Sequence, residues 1–114
     1  MISIDEFKKV EIRAGKILSV EEIEGSDKLL KLSVDFAEEN HRQILSGIKK
    51  FFPDPQTLVG VTCAFVTNLE PRMLMGLESQ GMIMAVLGGG AEGASEFFSL
   101  LKLGDDVPPG SIVK

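Results

Sequence analysis

A chain of 114 residues suits one domain whose single hydrophobic core needs no disulfide staples. Its 44% hydrophobic and 25% charged residues are an ordinary globular mixture, and no apolar run reaches the length of a membrane span. A net charge of −5 and a pI near 4.8 exclude coating of nucleic acid by bulk electrostatics, but they leave room for a local basic face.

The first ten residues, MISIDEFKKV, lack the apolar stretch of a signal peptide. Within them Ser3 and Glu6 have the spacing of a capping box, which predicts a short helix over about residues 4–9. So short a helix needs the body of the domain for support, so Ile4 and Phe7 are expected to pack against it. Next, VEIRAGKILSVEEI alternates, with Val10, Ile12, Ala14, Leu18 and Val20 expected inward and Arg13 outward. Gly15 and Lys16 interrupt the pattern, as a bulge or bend in a curved strand would. After the turn EGSDK, a second strand places Leu30, Leu32, Val34 and Phe36 inward and Lys31, Ser33 and Asp35 outward. AEENH reads as a hairpin tip and RQILSGI as a third strand.

Asp54 as cap and Pro55 as first helical residue predict a short helix that Gly60 ends. VTCAFVTNL, apolar on both faces, is a central fourth strand, and GMIMAVL a fifth. GGGAEGA reads as a flexible hairpin tip, EFFSLLKL as strand-like, and the tail as turns ending in a short apolar strand. Five short strands with a helix between the third and fourth is the order of the OB-fold, a five-stranded Greek-key barrel. The expected fold is therefore all-β, with a barrel over about residues 10–87 and a C-terminal β extension over about 88–114. The apolar faces of that extension call for a partner, and a homodimer supplies one.

Catalytic signals are weak. Gly88, Gly90 and Gly93 match G-x-G-x-x-G outside any β-α-β setting, and a Gly-rich hairpin explains them better. Ser46 and Lys49 match S-x-x-K without the companion motifs of serine acyl-enzymes. One cysteine, Cys63, and one histidine, His41, make no metal-ligand cluster. Cys63 lies in an apolar run and reads as a buried small hydrophobe, in keeping with a reducing, cytoplasmic setting. No catalytic site, metal or cofactor is expected.

The cations are more informative. Arg13, Lys16, Lys28, Lys31, Arg42, Lys49, Lys50 and Arg72 fall on segments that can share one mouth of an OB barrel. Scattered surface charge balancing seventeen acids accounts for them equally well. With no Trp or Tyr, RNA bound there would be held through its backbone and shape, and through apolar packing on a base.

The segments VEIRAGKI, EGSDKLLKLSVD, RQILSGI, PDPQTLVG, VTNLEPR and GLESQGMIMA stand in collinear order. Together they resemble the tRNA-binding module found at the C-terminus of many bacterial methionyl-tRNA synthetases and in free-standing tRNA-binding proteins. The resemblance implies an OB-fold homodimer that binds tRNA by shape and can partner a synthetase catalytic domain. Carried over by motif, the RNA-facing residues are Arg13, Lys31, Arg42, Asn68, Ser79 and Met82. Ser46, Lys49 and Arg72 extend the set. Ser79 would offer a hydroxyl to RNA, Gly81 would allow close backbone approach, and Met84 would pack in the core. Glu70, Met73 and Met75 stand where many relatives carry basic residues, which implies a weaker binder. ISIDEF suits a native start and a boundary excised from a longer synthetase equally. A dimeric export-related chaperone of similar architecture is the alternative that the methionine-rich surface suggests.

Overall fold

The computed structural model describes residues 1–89 and 97–114. Its order is helix α1 (Ile4–Phe7), strands β1 (Ile12–Glu22), β2 (Leu30–Asp35) and β3 (Arg42–Ser46), two 3₁₀ turns (Lys49–Phe51 and Pro55–Leu58), and β4 (Thr62–Val66). Then come β5 (Arg72–Leu74), β6 (Leu77–Ser79), β7 (Met82–Ile83), β8 (Ala85–Gly88), β9 (Phe97–Leu100) and β10 (Ile112–Val113). Most of the expected hairpin GGGAEGA, with Gly90 and Gly93, lies outside the described residues.

The barrel is an antiparallel sheet in the order β3-β2-β1-β4-β7, an OB-like arrangement. The long strand β1 serves both sides, pairing with β4 through Ile12–Lys16 and with β2 from Lys16 onward. Gly15 makes this bend possible. A Cβ there would lie 2.5 Å from Phe36, 2.7 Å from Val34 and 2.8 Å from Phe65. A bulge between Ile17 and Ser19 then shifts the register.

These two features rearrange the expected faces of β1. Ile17 is fully buried and Leu18 turns out to solvent, so Leu18 is not inward. Ile12 and Ala14 are buried, but on the side opposite the main core. Ile12 clusters with Ala64 and Val66 under Met84 and Leu101, and Ala14 stands opposite Ala64. Arg13 is consequently on the parity of Gly15 and Ile17 and stands opposite core Phe65, instead of facing outward. Residues directly opposed across strands share a face, which is why one register fixes all three assignments.

The main core holds Ile17, Val20, Leu30, Leu32, Val34, Phe36, Ile44, Cys63 and Phe65. The inward and outward alternation of β2 is as expected. The capping box of Ser3 and Glu6 also forms, but α1 buries nothing: Ile4 is 65% and Phe7 44% exposed. They instead border an open groove with Val10, Ile12, Ile112 and Val113. Asp54 caps the second 3₁₀ turn by accepting from Gln56 N–H, with Pro55 leading it.

The expected fifth strand divides at Met84. Met82–Ile83 completes the barrel against β4, while Ala85–Gly88 leaves to form a ribbon with β9. The chain then returns to its own barrel. Ala64 N–H donates to Leu101 O, Leu103 N–H to Thr62 O, and Ala14 N–H to Ser111 O, and β10 pairs with the start of β1. Leu100 is thereby buried and Phe98, Leu101 and Leu103 half-buried within the chain. Val86, Leu87, Phe97 and Ile112 stay exposed.

Candidate nucleic-acid interface

The outer face of β1, β2 and β3 carries two cross-strand rows. Ser19, Ser33 and Gln43 stand in register in one, and Glu21, Lys31 and Leu45 in the next. With Leu32, His41 and Arg42, the side chains of Ser19, Glu21, Lys31, Ser33 and Gln43 line a concavity of about 370 Å³. Lys31 Nζ lies 3.0 Å from Glu21 Oε2, a half-buried lysine beside an exposed carboxylate, a pair that contributes little to stability.

The expected loop between the fourth and fifth barrel strands is a hairpin, β5–β6. Its two-residue turn, Met75-Gly76, has φ of 50° and 78°, the pattern of a type I′ turn. Methionine in that conformation is costly compared with the usual Asn or Gly. The hairpin lies along the free edge of β3. Gln80 N–H donates to Gln43 O at 2.8 Å, and Gln43 N–H to Gln80 Oε1 at 2.9 Å. Leu45 N–H donates to Ser79 Oγ at 3.0 Å. Side chains thus close the seam between β3 and β7 that the backbone ladder leaves open. This explains why Leu45, on an outward parity, is only 5% exposed. A second, smaller groove of about 70 Å³ lies here, lined by Leu45, Leu69, Glu70, Arg72, Ser79 and Met82.

At the end of β3 near the β2–β3 loop, Arg42 is a clamp. Its Nε and Nη2 donate to Glu38 at 2.7 and 2.8 Å, and Nη1 donates to the carbonyls of Thr67 and Gln80. The guanidinium also sits 5.3 Å above the Phe36 ring. The Arg42 hydrogen bond holds the Glu38 carboxyl below its ordinary range, and Glu38 raises the Arg42 pKa in return. Beside it, Arg13 Nε donates to Glu11 Oε1 at 2.7 Å and Nη1 to Gly110 O at 3.0 Å. The Glu11 carboxyl is lowered chiefly by the Thr67 hydroxyl and then by Arg13.

The residues expected to face RNA therefore separate into groups. Lys31 and Arg42 share the larger concavity, and Arg72, Ser79 and Met82 share the smaller one across β3. Arg13 and Asn68 lie at the barrel end. Asn68 ties the chain there, accepting from Glu11 N–H and donating to Lys9 O. Ser46 and Lys49 lie toward the other end of β3, where Lys49 Nζ donates to Ser26 O. Arg13, Lys31, Arg42 and Lys49 each have a carboxylate within 4 Å, whereas Arg72 is exposed and pairs with none of the described residues. The hydroxyl of Ser79, expected to meet RNA, is 5% exposed and spent on Leu45 N–H and Gly81 O. The close approach at Gly81 is to Val66 O and Ile44 of its own barrel. Ser19, His41 and Gln43 were not among the expected site residues. Their outward alternation in two of the strands is the signal that could have found them.

Residues 12–112 match the family described as "Putative tRNA binding domain". The chain is 43% identical over 113 residues to a methionine–tRNA ligase of Lactococcus lactis, covering 98% of this chain and 16% of that protein. It thus spans about a sixth of the length of that relative. Among solved structures, a MetRS-related protein from Pyrococcus horikoshii superposes with a TM-score of 0.83 at 34% identity, covering 100% of this chain and 98% of that one. The chaperone CsaA of Bacillus anthracis superposes with a TM-score of 0.77 at 24% identity, covering 100% and 99%, a likeness of fold alone. This chain, with its OB-like barrel and cation-bearing outer face, belongs to the tRNA-binding domain family and is related to methionyl-tRNA synthetases.

Proposed function

We propose that this domain binds tRNA without catalysing a reaction, as the C-terminal domain or a separate subunit of a cytoplasmic methionyl-tRNA synthetase, and so helps the synthetase capture its substrate. The observation that carries the reading is the family match over residues 12–112, which spans the whole cation-bearing outer face. Lys31 and Arg72 are the phosphate contacts, supported by Lys49, with Met82 packing on the RNA. Ser79, Asn68 and the Arg42 clamp hold the surface in shape. Binding is weak because four of the five site cations, Arg13, Lys31, Arg42 and Lys49, already have carboxylate partners and because Glu70, Met73 and Met75 add no positive charge. The domain works as a homodimer. The exposed Val86, Leu87 and Phe97 of the β8–β9 ribbon support that state, and dimerisation doubles the weak contacts.

Capture of unfolded polypeptide is a second reading. It is favoured by one observation, the exposed Leu69, Met73, Met75 and Met82 around the β5–β6 hairpin. Fluorescence anisotropy of labelled bulk tRNA, titrated from about 50 to 200 mM salt, separates the two. Salt-sensitive binding that tRNA competes away, and that duplex DNA and unfolded polypeptide do not, supports the tRNA module. No binding at the lowest salt, with polypeptide captured instead, overturns it.

A further inference from the structure

The concavity on the outer face of β1–β3 differs in character from the rest of the surface. Exposed apolar side chains cluster at α1 and β10, on the hairpin and on the ribbon, but the side chains lining this concavity are polar except for Leu32, which is fully buried. Ser19 and Ser33 bring hydroxyls that can donate or accept. Glu21 brings a carboxylate that accepts, and Lys31 an ammonium beside it. Gln43 is held in place by its backbone bonds to Gln80 and by its amide bond to Glu78 O, which leaves its Oε1 an acceptor without a partner among the described residues. At the edge stands His41, exposed and on the outward parity of β3. Among the described residues its imidazole is the one aromatic ring bordering this concavity.

A planar ring, a row of hydrogen-bonding groups and a cation at one end are the three things an unpaired nucleotide needs. We propose that this concavity is a single-nucleotide subsite. One unstacked base of the bound RNA lies on the His41 ring, presents its edge to Ser33 and Gln43, and leaves its phosphate on Lys31, which releases Glu21. The subsite rests on the tRNA-binding reading and goes beyond it, because it makes recognition depend partly on a base instead of on helix shape and phosphates alone. A segment of unfolded polypeptide would find no apolar pocket here.

His41 is the only histidine in the chain, so its ring protons form a single-residue NMR reporter. The test titrates the intact protein with a single-stranded ribotrinucleotide and with an abasic trinucleotide of equal charge. Ring-current shifts of the His41 protons with the first and not the second are expected. Equal shifts with both, or none with either, overturn the subsite. In parallel, His41→Ala should weaken tRNA binding about tenfold while His41→Phe keeps it within about threefold, since a stacked base contributes on that scale. If wild type binds tRNA and His41→Ala binds it equally well, the subsite is wrong and the tRNA reading stands. If wild type binds no tRNA, both are wrong.

Discussion

Replacing Ser79 by alanine removes a hydroxyl that closes the barrel. In the native protein this hydroxyl accepts from Leu45 N–H at 3.0 Å and donates to Gly81 O at 3.2 Å. Both Ser79 and Leu45 are 5% exposed, so water does not readily replace it. A buried donor left without a partner costs its desolvation, about 1–3 kcal/mol, and the lost bond to Gly81 O adds to it, so a loss of about 2 kcal/mol or more is expected. For a domain of this size that is a fall in melting temperature of roughly 10 °C. The assay is thermal unfolding by circular dichroism, beside tRNA anisotropy on the same samples below the transition. Ser79→Ala should melt early, and Ser79→Thr should recover part of the loss. An unchanged melting temperature with weakened tRNA binding would mean that the hydroxyl does not close the barrel and faces RNA instead.

Arg42→Ala should lower the melting temperature as well as tRNA affinity, because it strands the carbonyls of Thr67 and Gln80 and the Glu38 carboxylate; loss of affinity alone, read by anisotropy at constant stability, would make Arg42 a plain phosphate contact. Gly15→Ala should destabilise by about 1–3 kcal/mol in chemical unfolding, since its methyl would meet Phe36, Val34 and Phe65 within van der Waals distance; a neutral result would mean that β1 has room to straighten. Cys63 should resist thiol reagents in the folded protein and react on unfolding, because burial pushes its pKa up to about 11 from an ordinary 9.0. Between those values the unfolded chain has released a proton that the folded chain retains, so stability should fall as pH rises from 9.0 to about 11. Cys63→Ala should lose that decrement, measured as unfolding free energy against pH.

Much of this protein follows from local rules that a linear reading can apply. The alternation of Leu30, Leu32, Val34 and Phe36 sets the faces of β2, since a strand's side chains must alternate and only one side of this strand meets the core. The Ser3–Glu6 and Asp54–Pro55 patterns place both short helices, because caps satisfy donors within three residues of themselves. The order of strands and helix is enough to name the barrel. Tertiary structure decided what depends on partners far along the chain. The sense of Ile12, Arg13 and Leu18 reversed because Gly15 bends β1 and a bulge shifts its register, and only the positions of Phe36 and Phe65 require that bend. Ala85–Gly88 left the barrel beyond Met84, whose N–H still reaches Ala64 O, because the returning segment offers β9 as their partner. The basic residues, legible as a group, were divided by their carboxylate neighbours: Glu11, Glu21, Glu22 and Glu38 reach Arg13, Lys31, Lys49 and Arg42 through strand register and loop closure. Ser79 reads as a free hydroxyl in a polar loop. It becomes a closure residue only when β3, thirty-four positions earlier, presents an unpaired Leu45 N–H beside it.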